Sequence, residues 1–581
     1  MHGVRPVVAL LLAFGLVAVV ASGVGVLGGV PGAVLADETD GNSTTLSGES
    51  NLTDADVTFY GETVNDSAGV EVVGAGDVTG DGFDDVLVGA PGNDTAYLFY
   101  GPVEPGEIVL NEDEADAVFA GDDDRTGASI ALGDVTGDGF DDIVLGAPDA
   151  DEGASLSGAA YVFHGESEPA GAVDIADANA TLTGVGGSDN AGADVAVIAE
   201  DETEADGAGT ILVGAPGNET IAEEAGAVYL VDGAELDGEL SLADADSALY
   251  GAGEGARAGA AVAHGGDVSG DGIDEIVVGA PYHNVTVDDE ELGEAGAAYV
   301  VTTDLPSERL LDGESEGVTA IYGENEFDRI GWSVAGAGDF DGNNTNDVFV
   351  GSPWNDVAND DAGAVFVLFG DAALPDEMNV TETNVTITGV NPYDRAGWSV
   401  ATIPSGNETD DANGTTGPDD LLVGAPHNDL GGESAGTTYL VGGTEDPEEE
   451  IDLADAEASL IGAGEDDRSG WSVASAGDAS GEGTADVLIG APGNDTTGEE
   501  AGAAYLVFGE APVEDPIEET PTPDEEETPT PDDDETPTPD DDETPTPDDD
   551  ETPTPDDDET LTPDEEDDVP VPTPGDDEDE E

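Results

Sequence analysis

The sequence predicts an all-β protein, a seven-bladed β-propeller, and three observations carry that prediction. The tripeptide Gly-Ala-Pro, or Gly-Ser-Pro in one copy, recurs at intervals of 57 to 73 residues, beginning at Gly89, Gly146, Gly214, Gly279, Gly351, Gly424 and Gly490. Each interval holds short apolar stretches punctuated by Gly and Pro, and none shows the stripe of an amphipathic helix. A supersecondary unit of this size needs neighbours to bury its core, and four antiparallel strands per unit are typical of a propeller blade.

One repeat shows how the strands are assigned. The unit that begins at Ile330 contains, in order, a strand of small residues at 331–338, a loop at 339–347, a buried strand at 348–353, a third strand at 362–370 and a fourth at 384–389. A fourth-type strand at 55–61 precedes the first unit, whereas none follows the seventh. We therefore predict that residues 55–61 complete the last blade, which closes the ring and leaves no open sheet edge.

The charge balance is extreme. The chain has 139 acidic residues against 7 arginines and no lysine, and its formal net charge is −132. Such self-repulsion opposes folding in ordinary salt, whereas molar salt screens it within about 3 Å, so the composition is typical of a halophilic protein. An acidic patch that binds a basic partner is the alternative interpretation. Nucleic acid is excluded as a partner, because almost no positive charge is available to neutralise phosphates. The absence of cysteine excludes disulfides and thiolate sites.

The two ends of the chain differ from its middle. Residues 1–36 carry Arg5, a long apolar run and small residues before an acidic stretch, which is typical of a signal peptide cut after Ala36. The run is also long enough to span a bilayer, so an uncleaved anchor is the alternative. We expect a linker at 37–50, the propeller at 51–510, and a mature chain that is secreted or held at the cell surface, without a membrane span if the signal is cleaved. Asn-X-Ser/Thr sequons occur throughout and are compatible with a glycoprotein.

Residues 511–581 form a low-complexity tail. Thr-Pro-Thr-Pro-Asp blocks recur every eight residues from Thr520 onward. Proline and like charges prevent collapse, so we predict a disordered, extended segment. It suits either a stalk or a solubilising tail.

The acidic loop of the first unit has the spacing of a calcium site. Oxygen-bearing side chains alternate along the loop, the residue at the seventh position offers a carbonyl oxygen, and glycines allow the tight turn; the predicted ligands are Asp77, Thr79, Asp81, Phe83 and Asp85. Hard oxygen ligands in a flexible loop favour calcium, which accepts 6–8 of them. Val88 stands where an EF-hand requires its bidentate glutamate, so this is a loop between strands that uses similar metal geometry.

Four other units carry related loops in the same slot. Their predicted ligands are Asp134, Thr136, Asp138, Phe140 and Asp142 in unit two; Asp267, Ser269, Asp271, Ile273 and Glu275 in unit four; Asp339, Asp341, Asn343, Thr345 and Asp347 in unit five; and Asp478, Ser480, Glu482, Thr484 and Asp486 in unit seven. Units three and six do not keep the spacing. The candidates there are Glu202, Glu204, Asp206 and Thr210, and Asp420.

Over residues 51–509 these motifs resemble the FG-GAP repeats of the integrin alpha-subunit propeller and its prokaryotic relatives. Gly-Trp-Ser-Val-Ala begins at Gly331, Gly397 and Gly470, and Gly-Asp-Val-Thr-Gly-Asp-Gly begins at Gly76 and Gly133. The resemblance implies a seven-bladed propeller with calcium loops on one face and adhesion or partner recognition elsewhere. The phenylalanine that the family places before the first glycine is replaced here, for example by Ile330, so that contact is not expected.

Tryptophan and arginine also recur at fixed positions of the repeat. Trp332, Trp398 and Trp471 share one strand position in units five to seven, where they either fill the wide end of the central channel or form a platform for a glycan or protein ligand. Five arginines stand two residues before the strand-opening glycine, where we expect each to bridge a nearby acidic loop; they are Arg125, Arg257, Arg329, Arg395 and Arg468.

Two functions follow from these features. The first is a non-enzymatic calcium-binding scaffold for adhesion or recognition, whose partner is an unknown protein or glycan at the cell surface. The second is a propeller-based hydrolase or lyase acting on glycans. No Ser/His/Asp set or histidine cluster supports the second, although a carboxylate-only glycosidase fits an acidic chain.

Overall fold

A computed structural model describes residues 46–509, apart from gaps at 123, 166–168, 199–206, 235, 288–289, 304–307, 314, 372–373, 406–416 and 446. The predicted signal peptide at 1–36, residues 37–45 of the predicted linker and the tail at 511–581 lie outside the described residues, whereas residues 48–50 of that linker belong to a strand, Gly48–Asn51. In this described part, no helix has the length and apolar character needed to cross a membrane.

The described chain is a seven-bladed β-propeller, as the sequence predicts, and each blade is a sheet of five strands. From blade one to blade seven, the innermost strands are Val72–Gly76, Ser129–Gly133, Val195–Ile198, Ala261–Gly266, Val334–Gly338, Val400–Ile403 and Val473–Gly477. The second strands are Asp85–Ala90, Asp142–Ala147, Thr210–Ala215, Glu275–Ala280, Asp347–Ser352, Asp420–Ala425 and Asp486–Ala491. The third strands are Thr95–Phe99, Ala159–Phe163, Ala227–Asp232, Ala297–Thr302, Ala364–Leu368, Thr437–Val441 and Ala503–Val507.

The fourth strands, in the same order, are Ala117–Ala120, Ala180–Thr183, Ser247–Gly251, Val318–Tyr322, Val385–Thr388, Ala458–Ile461 and Val57–Tyr60. The fifth strands are Gly171–Asp174, Gly238–Ser241, Glu308–Leu311, Glu377–Asn379, Glu450–Asp452, Gly48–Asn51 and Gly106–Val109. A small hairpin, Val285–Val287 with Glu290–Leu292, follows the second strand of blade four.

The fifth strand corrects the prediction of four strands per blade. It pairs in parallel with the fourth strand, as Gly171–Asp174 does with Ala117–Ala120, and it comes from the repeat that builds the next blade. After most fifth strands a single turn of 3₁₀-helix buries one apolar residue; these turns are Leu52–Asp54, Ile175–Asp177, Leu242–Asp244, Val380–Glu382 and Leu453–Asp455. Another 3₁₀ turn, Pro91–Asn93, follows the second strand of blade one. Each repeat therefore contributes to two blades.

The ring closes through the N-terminal strands. Val57–Tyr60 pairs antiparallel with Ala503–Val507, with Val57 opposite Leu506, and so completes blade seven as predicted. A second N-terminal strand, Gly48–Asn51, adds to blade six by pairing in parallel with Ala458–Ile461. The first segment of the described chain therefore secures its last two blades.

The hydrophobic core consists of seven clusters, each shared by two neighbouring blades. The cluster between blades seven and one contains Val57 and Phe59 together with Val86, Val88 and Phe99. Equivalent clusters join the remaining pairs around the ring. Because burial of apolar area stabilises the contacts between blades, no blade completes its core alone.

Candidate metal loops and the opposite face

The first carboxylate of each predicted loop organises the turn. Asp77 Oδ1 accepts hydrogen bonds from the backbone N–H groups of Gly80 at 2.6 Å and Asp81 at 3.1 Å, and its Oδ2 accepts one from Gly82 at 2.8 Å. Loop two repeats this pattern around Asp134. Gly80 and Gly82 have φ values of 71° and 93°, which a residue with a Cβ adopts only with strain. The glycines and the leading aspartate together turn the loop back on itself.

The last carboxylate of each loop opens the second strand and is buried. Asp85 is fully buried and accepts hydrogen bonds from Val78 N–H at 2.9 Å and Gly101 N–H at 2.8 Å. Burial raises the pKa of Asp85 to about 7, and it does the same for Asp347. A buried carboxylate held this way gains from a bound cation, because a nearby positive charge offsets its desolvation.

Two observations test whether these loops fit a metal ion. The side-chain hydroxyls of Thr136 and Ser269, both at the third loop position, are buried without a hydrogen-bond partner in the described part of the chain. In loop five, oxygens of Asp339, Asp341 and Asp347 all lie within 4.8 Å of one another. Unpartnered hydroxyls beside carboxylates are the donor set that a hard cation prefers. The residues therefore fit calcium.

The remaining predicted ligands are partly engaged with the protein itself. Asp81, Asp138 and Asp271 each accept a hydrogen bond from the N–H two residues onward, at 3.0–3.1 Å. Thr345 donates its hydroxyl to the Asn343 side chain and to Gly370 O, the latter at 3.1 Å. In loop seven the Ser480 hydroxyl donates to Asp486 at 3.3 Å, and Thr484 Oγ1 donates to Gly509 O at 2.8 Å.

Loops three and six lie largely outside the described residues. Glu202, Glu204 and Asp206 lie outside the described residues. Thr210 and Asp420 open the second strands of their blades, the position that Asp85 holds in blade one. Asp420 also accepts a hydrogen bond from Gly443 N–H at 3.1 Å, as Asp85 does from Gly101.

The loops are linked to one another, which the sequence did not reveal. Asp141 Oδ2 of blade two accepts the backbone N–H of Asp77 in blade one at 2.7 Å. The same contact joins Asp84 to Asp478 across the ring closure at 2.6 Å, and it recurs from Asn346 to Asp267 and from Asp419 to Asp339. The residue just before the second strand of one blade therefore accepts the backbone N–H of the first loop residue of the preceding blade.

The other end of each blade carries different chemistry. The innermost and second strands are antiparallel, so the residues before the first strand and after the second strand lie at the end opposite the acidic loops. We call this end the aromatic face, because all four tryptophans of the chain, Trp332, Trp354, Trp398 and Trp471, are found there. The acidic loops form the metal-loop face.

The tryptophans form one half-buried cluster. The ring centroid of Trp398 is 5.0 Å from that of Trp332 and 4.6 Å from that of Trp471. Trp354, which the sequence analysis did not single out, adds contacts at 4.5 Å to Trp332 and 5.5 Å to Trp398. Its signal in the sequence was its place directly after Gly-Ser-Pro, two residues beyond the end of the second strand.

The five repeated arginines also lie on the aromatic face, and two behave as predicted. Arg257 pairs with Glu224 and Arg329 with Glu294, each at 2.7 Å. The Arg395 guanidinium instead approaches His427 Nε2 at 3.4 Å. No ion pair is found for Arg125, Arg395 or Arg468 within the described residues, so the expectation that every arginine bridges an acidic loop is wrong.

Comparison with known proteins identifies the class of propeller. Residues 69–110, 126–163 and 258–301, which span parts of blades one, two and four, match the FG-GAP repeat. Together with the closed seven-bladed ring, this makes the chain an integrin-alpha-like FG-GAP β-propeller.

Individual relatives agree with that class. The chain is 28% identical over 287 residues to integrin alpha pat-2 of Caenorhabditis elegans, a match that covers 46% of this chain and 21% of that protein. It is 33% identical over 104 residues to integrin alpha-5 of Xenopus laevis, covering 18% of the chain and 9% of that protein. It is also 30% identical over 229 residues to the human phosphatidylinositol-glycan-specific phospholipase D, covering 38% and 25%. The match thus spans a quarter or less of each relative.

Proposed function

We propose that this protein is a calcium-binding recognition scaffold that is secreted or held at the cell surface of a halophilic microbe. The observation that carries the proposal is the chemical difference between the two faces. The metal-loop face presents carboxylates and hydroxyls, with three carboxylates gathered in loop five, whereas the aromatic face gathers four tryptophans and five arginines of a chain with net charge −132.

Calcium has a structural role in this proposal. Asp77 and Asp85 bracket loop one, and Asp141 ties it to loop two. A cation held between those carboxylates reduces their mutual repulsion and fixes the spacing of neighbouring blades. By mass action it stabilises the folded ring, because the unfolded chain does not present the ligands together. The metal-loop face then fixes the positions of the blades, and with them the positions of the side chains on the aromatic face.

Recognition is assigned to the aromatic face. Half-buried indoles that contact one another offer flat apolar surface with N–H edges, which suits ligand binding. Two of the relatives are integrin alpha subunits, which favours a recognition role over catalysis.

An enzyme is the second candidate, and one relative favours it, since it is a phospholipase D. In the described residues the nearest approach to a catalytic pair is His264 with Asp274, whose Nε2 and Oδ2 lie 2.9 Å apart. The Thr303 hydroxyl lies nearby but donates to the Asp274 backbone carbonyl at 2.8 Å and not to either side chain of the pair. Incubation of the full chain with glycans and with glycosylphosphatidylinositol substrates tests this candidate, and any turnover that His264→Asn abolishes would establish it.

Calorimetric titration of the full chain with calcium in molar NaCl tests the scaffold proposal. We expect several bound ions and a heat signal that loses one site in Asp341→Asn, because Asp341 belongs to the carboxylate cluster of loop five. Asp113→Asn, an exposed aspartate away from the loops, is the control and should keep every site. Absence of calcium binding by the parent chain would overturn the proposal.

A further inference from the structure

Arginines and aromatic rings alternate along an arc of the aromatic face. Arg257 and Arg329 lie over the Tyr282 ring at 4.9 and 5.0 Å, and Arg329 and Arg395 lie over the Trp354 ring at 4.7 and 5.3 Å. The arc runs across blades four to seven and consists of Arg257, Tyr282, Arg329, Trp354, Arg395, His427 and Arg468. Cation–π contacts of this kind hold guanidinium groups in fixed orientations.

The aromatic residues of the arc interrupt the pseudo-symmetry of the ring. Tyr282, Trp354 and His427 each stand directly after the Gly-Ala-Pro or Gly-Ser-Pro of their blades. The same position holds Gly92, Asp149, Gly217 and Gly493 in the other four blades. The arc is therefore confined to one sector and is not a consequence of the repeat.

The arginines of the arc form ion pairs at one end only. The turn before the third strand presents Glu224 to Arg257 and Glu294 to Arg329, and both form ion pairs at 2.7 Å. Opposite Arg395 the same turn holds Asp361, whose side chain is one methylene shorter, and opposite Arg468 it holds Ser434, which has no charge. Among the described residues neither arginine has an ion pair. Neither guanidinium therefore has a carboxylate at ion-pair distance, and Arg395 is attracted only from farther away, by Asp361.

His427 does not neutralise them and does not add a third charge. Burial, with Arg395 and Arg468 nearby, lowers the pKa of His427 to about 4, so its ring is neutral at ordinary pH. A neutral ring nitrogen can accept the Arg395 Nη1–H at 3.4 Å and orient the guanidinium.

Exposed aromatic rings precede two arginines of the arc, Arg329, which is paired, and Arg395, which is not. Phe327 and Tyr393 are 56% and 58% exposed, two residues before Arg329 and Arg395 respectively. Their φ values are 72° and 71°, in the left-handed region that bulky residues avoid, and the five arginines lie there too, at 54–59°. The chain therefore retains bulky side chains at positions that a glycine would occupy without strain.

We propose that the Arg395–Arg468 end of the arc binds an acidic saccharide, one that carries carboxylate or sulfate groups on its rings. This inference rests on the proposed recognition role of the aromatic face and names its ligand class. The guanidinium groups donate to the anionic group, and the rings of Tyr393, Phe327 and the half-buried Trp354 contact the apolar faces of the sugar.

A saccharide fits this surface better than an acidic peptide does. Both supply anions, but only the sugar supplies flat apolar ring faces to match the aromatic side chains. The chain already contains 139 acidic residues, and their field opposes a dense polyanion such as a run of aspartates. A saccharide with one charge per ring has a lower charge density, so the negative field of the protein repels it less.

The test uses the full chain in molar NaCl and follows tryptophan fluorescence during titration with a galacturonate hexamer. We expect saturable binding that the fully methyl-esterified hexamer does not show, because esterification removes the charge and keeps the rings. Equal binding of both hexamers, or no binding of either, would overturn the proposal. Binding of a hexa-aspartate peptide in place of the saccharide would overturn it as well.

A variant that adds one negative charge beside Arg468 tests the site more directly. Ser434→Glu places a carboxylate in the turn where Glu224 and Glu294 already pair with arginine, so it should occupy Arg468 and weaken hexamer binding about tenfold or more. Ser434→Gln adds the same bulk without charge and should leave the affinity within about twofold. Identical affinities for the two variants would refute the assignment.

Failure of this inference is distinguishable from failure of the scaffold. Calcium titration of the same samples reports on the metal-loop face, which shares no residue with the arc. Calcium binding without hexamer binding would overturn the inference alone. Hexamer binding without calcium binding would leave the inference standing and overturn the calcium proposal.

Discussion

Closure of the ring can be tested by truncating one buried side chain at the seam. Phe59 lies in the N-terminal strand Val57–Tyr60, is fully buried, and its ring centroid is 4.7 Å from that of Phe99 in blade one. Phe59→Ala removes this ring from the cluster shared by blades seven and one. Loss of a buried phenylalanine costs about 3–5 kcal/mol of unfolding free energy, and the aromatic pair adds about 0.5–1.5 kcal/mol.

Blade one offers a matched control. Phe119 is the third residue of a fourth strand, as Phe59 is, and it is also fully buried with its centroid 4.7 Å from Phe163 of the next blade. Phe119→Ala should therefore cost a similar amount of global stability. The two residues differ in where their strands come from. Phe59 lies in the N-terminal strand, which joins the last blade and closes the ring, whereas Phe119 lies in a strand that follows the first three strands of its own blade along the chain.

Hydrogen exchange separates the two variants. In Phe59→Ala we expect exchange to rise mainly at 57–60 and at the partner strand 503–507, because the seam opens without unfolding of the other blades. In Phe119→Ala the loss should be spread over the ring. Identical exchange profiles for the two variants, after correction for stability, would refute the view that the N-terminal strand is the seam. Deletion of residues 37–61, which removes the strand altogether, should cause aggregation or loss of cooperative melting.

Three further predictions concern ions and protons. A calcium chelator should lower the melting temperature in molar NaCl, because screened surface charge does not depend on divalent ions whereas filled loops do, and an unchanged midpoint would contradict the calcium proposal. Asp81→Ala should reduce the stabilisation by calcium, whereas Asp113→Ala, on an exposed stretch, should not; equal effects would remove Asp81 from the ligand set. Burial raises the pKa values of Asp194 and Asp328 to about 6, so the folded chain binds protons more tightly there than the unfolded chain does. In the presence of chelator, stability should therefore rise as the pH falls through 6, and the double variant Asp194→Asn/Asp328→Asn should reduce that slope, the remainder of which comes from other buried carboxylates such as Asp85 and Asp347.

The blades could be predicted from the sequence because the residues that end and begin their inner strands are recognisable within each repeat. Gly-Ala-Pro ends each second strand, and the small residues of 331–338 mark the crowded inner strand. The fifth strands were missed because their composition carries no strand signal. Gly106–Val109 is mostly exposed, and Glu450–Asp452 is three residues with two carboxylates. Their pairing depends on a partner in the preceding repeat, which periodicity does not show.

The spacing of the loop residues could be predicted from the sequence, but the hydrogen bonds between loops of neighbouring blades could not. Asp84 and Asp141 look like surplus charge in an acidic chain, and their partners are 394 and 64 residues away. A buried network was missed for the same reason. Asn218 donates to Asp189 at 3.0 Å and to the Tyr229 hydroxyl at 3.1 Å, and the pattern recurs around Asn428 and Asn494. Asn218 and Asn494 head sequons, yet their engaged, buried amides are unsuited to carry a glycan.

Each repeat supplies the outer strand of the preceding blade. This arrangement determines when, during synthesis, the ring can close. The strands Gly48–Asn51 and Val57–Tyr60 emerge first, yet their partners, Ala458–Ile461 and Ala503–Val507, emerge about 400 residues later. Until synthesis reaches that point, Phe59 has no finished pocket and two strand edges stay unpaired. A chain whose synthesis ends before Ala503 therefore lacks the strand with which Val57–Tyr60 pairs, and its ring stays open even if every earlier blade is complete.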